Sequence, residues 1–95
     1  MSLKTALESQ GLPAHASKVV GRLGVFEVSD SSGSVYLYCG TVVGLMFDGK
    51  QMTVKLDIGS YVFDLIPIKK TELWRAEFDN GREAGNAEGR FYLLE

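Results

Sequence analysis

Along the chain the spacing of apolar residues changes once, and the change separates a short helix from a run of strands. Leu3, Ala6 and Leu7 fall at intervals of three and four, which places them on one side of a helix over residues 2–10. Ser2 is the better N-cap, although Thr5 and Glu8 also have capping-box spacing. Gly11 and Pro13 end the element. A helix this short is marginal alone, so it must dock on the rest of the chain.

From Lys18 the period becomes two. Lys18–Ser29 carries Val19, Val20, Val25, Phe26 and Val28, with Gly21 and Gly24 marking a bulge or bend. Asp30-Ser31-Ser32-Gly33 is a turn. Ser34–Phe47 reads as one long strand. Val35, Leu37, Cys39, Val43, Leu45 and Phe47 share one face, and Tyr36, Tyr38, Val42 and Met46 the other. With both faces apolar, part of it must be covered twice, and Gly40 and Gly44 would let it bend to serve two sheets of a barrel.

Asp48-Gly49 predicts a hairpin of type I′, whose two central residues need positive φ. Gln51–Leu56 follows with Met52, Val54 and Leu56 inward and Thr53 and Lys55 outward. Tyr61–Ile66 alternates Tyr61, Phe63 and Leu65 against Val62, Asp64 and Ile66, and Pro67 ends it or marks an edge. Leu73–Phe78 turns Trp74, Ala76 and Phe78 inward. Asp79-Asn80-Gly81 turns, Arg82–Glu88 reads as a mobile loop, and Gly89–Leu94 closes the chain with Phe91 and Leu93. The expectation is a mainly β domain: a small, bent, five- to six-stranded antiparallel barrel over residues 18–94 behind a short N-terminal helix.

Composition narrows the picture. Ninety-five residues make one domain, 1–95, and 45% hydrophobic residues suffice for a core. A domain this small has a thin stability margin, which self-association would widen. The net charge of −2 lacks the basic excess of a general nucleic-acid binder. Adjacent Lys69 and Lys70 read as a solvated loop. A single cysteine, Cys39, cannot close an internal disulfide. Met1 to Gln10 has no signal-peptide core and no apolar run approaches a membrane span, so the expected location is intracellular, in the cytoplasm.

Candidate chemistry is sparse, and no catalytic residue is assigned. His15 and Cys39 are the only histidine and cysteine, too few for the usual zinc sets. Cys39 reads more readily as a small hydrophobe than as a nucleophile. Asp30, Asp48, Asp57 and Asp79 sit in turns, where aspartate holds the backbone. Asp64, between Val62-Phe63 and Leu65-Ile66, is either a perturbed acid or an outward strand position. No metal or cofactor is expected. Tyr36 and Tyr38 are covered by the helix, contact another protein, or stack on bases.

One stretch adds a resemblance. Gly40-Thr41-Val42-Val43-Gly44-Leu45-Met46-Phe47-Asp48 followed by Met52-Thr53-Val54-Lys55-Leu56 resembles the first motif of Sm-like proteins. It covers about twenty residues; Thr53 stands where that family has its RNA-contacting asparagine, and Ile66-Pro67-Ile68 where its second motif would lie. The resemblance implies a homo-oligomeric ring, with RNA as a partner and Asp48, Lys50, Met52 and Thr53 as the residues to test. The alternative is a protein-interaction or structural subunit, of phage or bacterial origin, contacting its partner through edge strands and Tyr36 and Tyr38. Both readings are non-enzymatic.

Overall fold

Each change in the apolar pattern becomes a change of element in the computed structural model, which describes residues 2–78 and 83–94. Helix α1 spans Leu3–Ser9. The Ser2 hydroxyl accepts the Thr5 amide at 3.2 Å, satisfying one of the free donors of the first turn. Ala6 and Leu7 are buried and Leu3 packs beside them on the core, so the predicted stripe is the docking face.

The first strand begins later than expected. Ala16–Lys18 forms a short 3-10 turn, and Gly21 has φ +94, so the extended chain starts only at Leu23. The intervening residues are anchored to the middle of the next strand. Gly21 donates to the Val42 carbonyl at 2.7 Å, and the Val42 amide donates to Arg22 at 2.9 Å. Val19 is fully buried under this crossing.

Six strands follow: β1 (Leu23–Ser29), β2 (Val35–Phe47), β3 (Met52–Asp57), β4 (Val62–Pro67), β5 (Trp74–Phe78) and β6 (Glu83–Leu93). Each pairs antiparallel with its neighbours in sequence, and β6 returns to β1, closing the barrel. The expected mainly β barrel with one short N-terminal helix is the observed fold. The backbone from Glu83 to Glu88, expected as a loop, belongs to β6: Glu83 stands opposite Glu77 and Glu88 opposite Arg75 of β5, with an irregular register between them, so the neighbouring strand supplies what the Gly- and Ala-rich sequence lacks in strand propensity. The turn expected at 79–81 lies outside the described residues.

Strand β2 serves two neighbours, as its length suggested. Val35–Thr41 pairs with β1 and Thr41–Phe47 with β3. The single alternation expected along it does not hold. A bulge between Val42 and Gly44 shifts the phase by one residue. Tyr38 and Val42 therefore turn inward before it, and Leu45 and Phe47 after it. Val35, Leu37 and Cys39, expected to share a face with Leu45 and Phe47, point to solvent instead. At the bend a side chain on Gly40 would run into the Asp57 carbonyl, so only glycine fits there.

The β2–β3 connection is not a type I′ turn. Positive φ falls on Gly49 alone (+96), so Gly49-Lys50 forms the tip and Asp48 braces it from outside. The Asp48 carboxylate accepts the amides of Lys50 and Gln51 at 2.9 and 2.7 Å. Asp30 and Asp57 hold their turns in the same way, as expected of turn aspartates.

The core runs through the barrel and under α1. Phe26, Val42, Val54, Leu56, Leu65 and Ala76 are completely enclosed. Trp74 meets Phe91 edge-on at 5.3 Å, and Phe63 meets Phe26 and Tyr38 at 6.1 and 5.3 Å. No buried side-chain polar atom among the described residues lacks a partner. No described helix is long and apolar enough to cross a membrane.

Candidate functional site

The four hairpin residues suggested by the Sm-like resemblance do not share one surface. Met52 is a core residue, 2% exposed. Thr53 points to the opposite side of β3 and is half-buried. Asp48 is exposed, but its carboxylate is committed to the turn. The Gln51 amide, then the Lys50 amide, hold that carboxyl below its usual range. Lys50 is exposed at the tip.

Three of the four do meet at the rim of a groove beside α1. It encloses about 390 Å³ between Ala6 and Gln10 of the helix end, Asp48, Lys50 and Met52 of the hairpin, and Pro67 and Lys69 after β4. Lys50 and Lys69 give this groove two cations beside the single carboxylate of Asp48. The groove could hold an anionic group, but no constellation for covalent or acid–base chemistry lies in it.

The two tyrosines part company. Tyr38 is half-buried and packs on Phe26 and Phe63 as part of the core. Tyr36 is 50% exposed, and its hydroxyl donates to Asp30 at 3.2 Å. Asp30 also accepts the Ser32 hydroxyl at 2.6 Å and the amides of Ser32 and Ser34, and its carboxyl is held below the usual range, chiefly by the Ser32 hydroxyl. Tyr36 thus belongs to a braced turn, and the pair does not form one contact patch.

Asp64 is an outward strand position with a local partner. It lies opposite Lys55 in the β3–β4 ladder and accepts from its Nζ at 2.9 Å. Cys39 is exposed on the outside of β2, and His15 is exposed ahead of the 3-10 turn; neither makes a side-chain hydrogen bond among the described residues. No group of three or more potential metal ligands occurs among the described residues.

The feature that the sequence reading missed is the outer face of three adjacent strands. On β1, Gly24 and Phe26 turn inward, so Leu23, Val25 and Glu27 turn out. The registers Val25↔Cys39 and Val25↔Tyr92 put the outward residues of β2 and β6 beside them. Leu23 and Leu37 are 57% and 58% exposed, and Val35, Tyr92 and Leu94 are also open to solvent. In their midst Val25 is only 4% exposed and lies outside the barrel core. Its partners across the two ladders are Cys39 and Tyr92. A monomer rarely leaves so contiguous an apolar face to water without a use for it. The signal was present as apolar residues at alternate positions 35, 37, 39 and 92, 94, but without the β2 bulge and the β6–β1 closure nothing joined them.

No protein-family model matches the chain, and no curated protein or solved structure matches it.

Proposed function

We propose that this chain is a non-enzymatic protein-interaction module that works through the outer face of β6, β1 and β2. The observation that carries the proposal is the contiguous apolar surface around Val25, made of side chains that the barrel does not need for its own core. The closed strand order leaves no free edge for strand addition, so a face, rather than the expected edge strands, is the route to a partner.

The test uses Cys39, which sits on that face. At high dilution its thiol should react with a maleimide without waiting for unfolding, and a Leu23→Ser/Leu37→Ser variant should keep its stability within about 0.5 kcal/mol, as surface changes do. Labelling limited by unfolding, or a large loss of stability, would show that the chain covers this face itself.

A second reading, single-stranded RNA held beside α1, has one observation in its favour: Lys50 and Lys69 line the same groove. Fluorescence anisotropy with a short oligoribonucleotide at low salt tests it. Binding that weakens in Lys50→Ala/Lys69→Ala supports it, and no binding removes it.

A further inference from the structure

The groove beside α1 joins an apolar floor to two cations that have no ion-pair partner among the described residues. Ala6, Met52 and Pro67 form the floor, and a methionine there is flexible and polarisable enough to fit itself to a guest. The volume of about 390 Å³ is that of a small-molecule cleft, for which about 300–1,000 Å³ is usual.

The cations, Lys50 and Lys69, stand on braced backbone. The Lys50 amide donates to Asp48 at 2.9 Å, and Gly49 before it takes the left-handed φ of +96. After Lys69 the chain reverses at Lys70, itself left-handed with φ +65. That loop is pinned across its base, where the Ile68 amide donates to the Leu73 carbonyl at 2.9 Å. The Thr71 hydroxyl adds a second tie, donating to the Ile68 carbonyl at 3.0 Å and accepting the Leu73 amide at 3.1 Å. Both lysines are thus set at the rim before any ligand arrives, which lowers the ordering cost of binding.

The negative groups nearby leave one positive charge over. The Asp48 carboxylate offsets one lysine. The carbonyls at the C-terminal end of α1 would repel an anion if they were free. They are occupied: the Ser9 hydroxyl donates to Ala6, the Gln10 amide to Leu7 and the Gly11 amide to Glu8. A surplus of one charge matches a single carboxylate better than a phosphate monoester of nearly two negative charges. The side-chain amides of Gln10 and Gln51 line the same space and can donate to the remaining carboxylate lone pairs.

We propose that this groove binds a small organic monocarboxylate, its hydrocarbon body on Ala6, Met52 and Pro67 and its carboxylate against Lys50 and Lys69. The site shares no residue with the outer face of β6, β1 and β2, so it goes beyond that interaction surface and is tested separately from it.

Cinnamate, titrated into the full chain at neutral pH and followed by methyl nuclear magnetic resonance, is the probe. The Ala6 and Met52 methyl signals should shift and saturate, while those of Leu23 and Leu37 stay still. Lys50→Ala/Lys69→Ala should bind cinnamate at least about tenfold more weakly, and the wild type should bind the neutral cinnamyl alcohol more weakly by a similar factor. Both lysines are exposed, so the double variant should keep its fold, which a thermal melt checks; if it does not, the alcohol still decides. No saturable shift of Ala6 and Met52 at millimolar cinnamate, shifts confined to Leu23 and Leu37, or an alcohol that binds as well as the acid would overturn the proposal. A short oligoribonucleotide that occupies the groove and resists displacement by cinnamate would overturn it in favour of RNA.

Discussion

The bend of β2 makes a sharp prediction, because two glycines in the same strand should respond oppositely to the same change. A β-carbon at Gly40 would collide with the backbone carbonyl of Asp57. Backbone cannot swing aside as a side chain can, so strand β2 or the end of β3 must move. Overpacking of this kind costs about 1–3 kcal/mol, and a backbone neighbour argues for the upper part of that range. A β-carbon at Gly44 would meet only Lys55, its Cδ at 3.6 Å, an ordinary contact. There the loss of glycine's unfolded-state freedom should leave the change neutral or stabilising, by up to about 1 kcal/mol. For a domain of this size each kcal/mol moves the melting temperature by about 4–8 °C. Gly40→Ala should therefore melt at least about 10 °C below Gly44→Ala when both are followed by circular dichroism. Melting temperatures within about 3 °C of each other would refute the close approach of β2 to the β3 end, and with it the reason the barrel closes there.

Other outcomes follow from the same geometry. Leu56→Ala, which empties a fully enclosed site, should cost about 2–5 kcal/mol in urea denaturation, whereas Val43→Ala, exposed at the bulge, should stay within about 0.5. Asp64→Asn should cost no more than about 1 kcal/mol, because the Lys55 pair lies on the outer side of the sheet and keeps some contact with water. Asp30 and Asp48 bind protons less readily when folded than their ordinary value of 3.8. Their turn contacts thus contribute fully above that pH and are lost as pH falls below 3.8 through the lower folded values. An Asp30→Asn/Asp48→Asn variant should show a shallower loss of melting temperature on the acid side, and equal slopes would contradict the assignment. The lone tryptophan, Trp74, is buried against Phe91, so its emission should be blue-shifted in the native state and move to the red on unfolding.

Elements held by local chemistry were legible in the sequence. The α1 stripe, the Ser2 cap, the inward set of β3 and the turn aspartates all follow from neighbours within four residues. What was not legible depends on contacts between distant parts of the chain. One extra residue at the β2 bulge inverts the facing of everything before it relative to everything after it, and period-two counting cannot see that. The residues 83–88 become strand because β5 lies alongside, not because their own propensities require it. The hairpin motif was legible as a turn but not as a site: its alternation sends Met52 to the core and Thr53 to the other side. The apolar face exists only once β6 meets β1 and β2, which brings Tyr92, Val25 and Cys39 into one row.

The most direct test of the interaction face is methyl nuclear magnetic resonance at high dilution with a soluble paramagnetic agent. Methyl signals of Leu23, Val35 and Leu37 should broaden as the agent is added, while those of Leu56 and Leu65, enclosed in the barrel, should stay sharp. Leu23, Val35 and Leu37 signals as well protected as those of Leu56 and Leu65 would contradict an open apolar face on β6, β1 and β2.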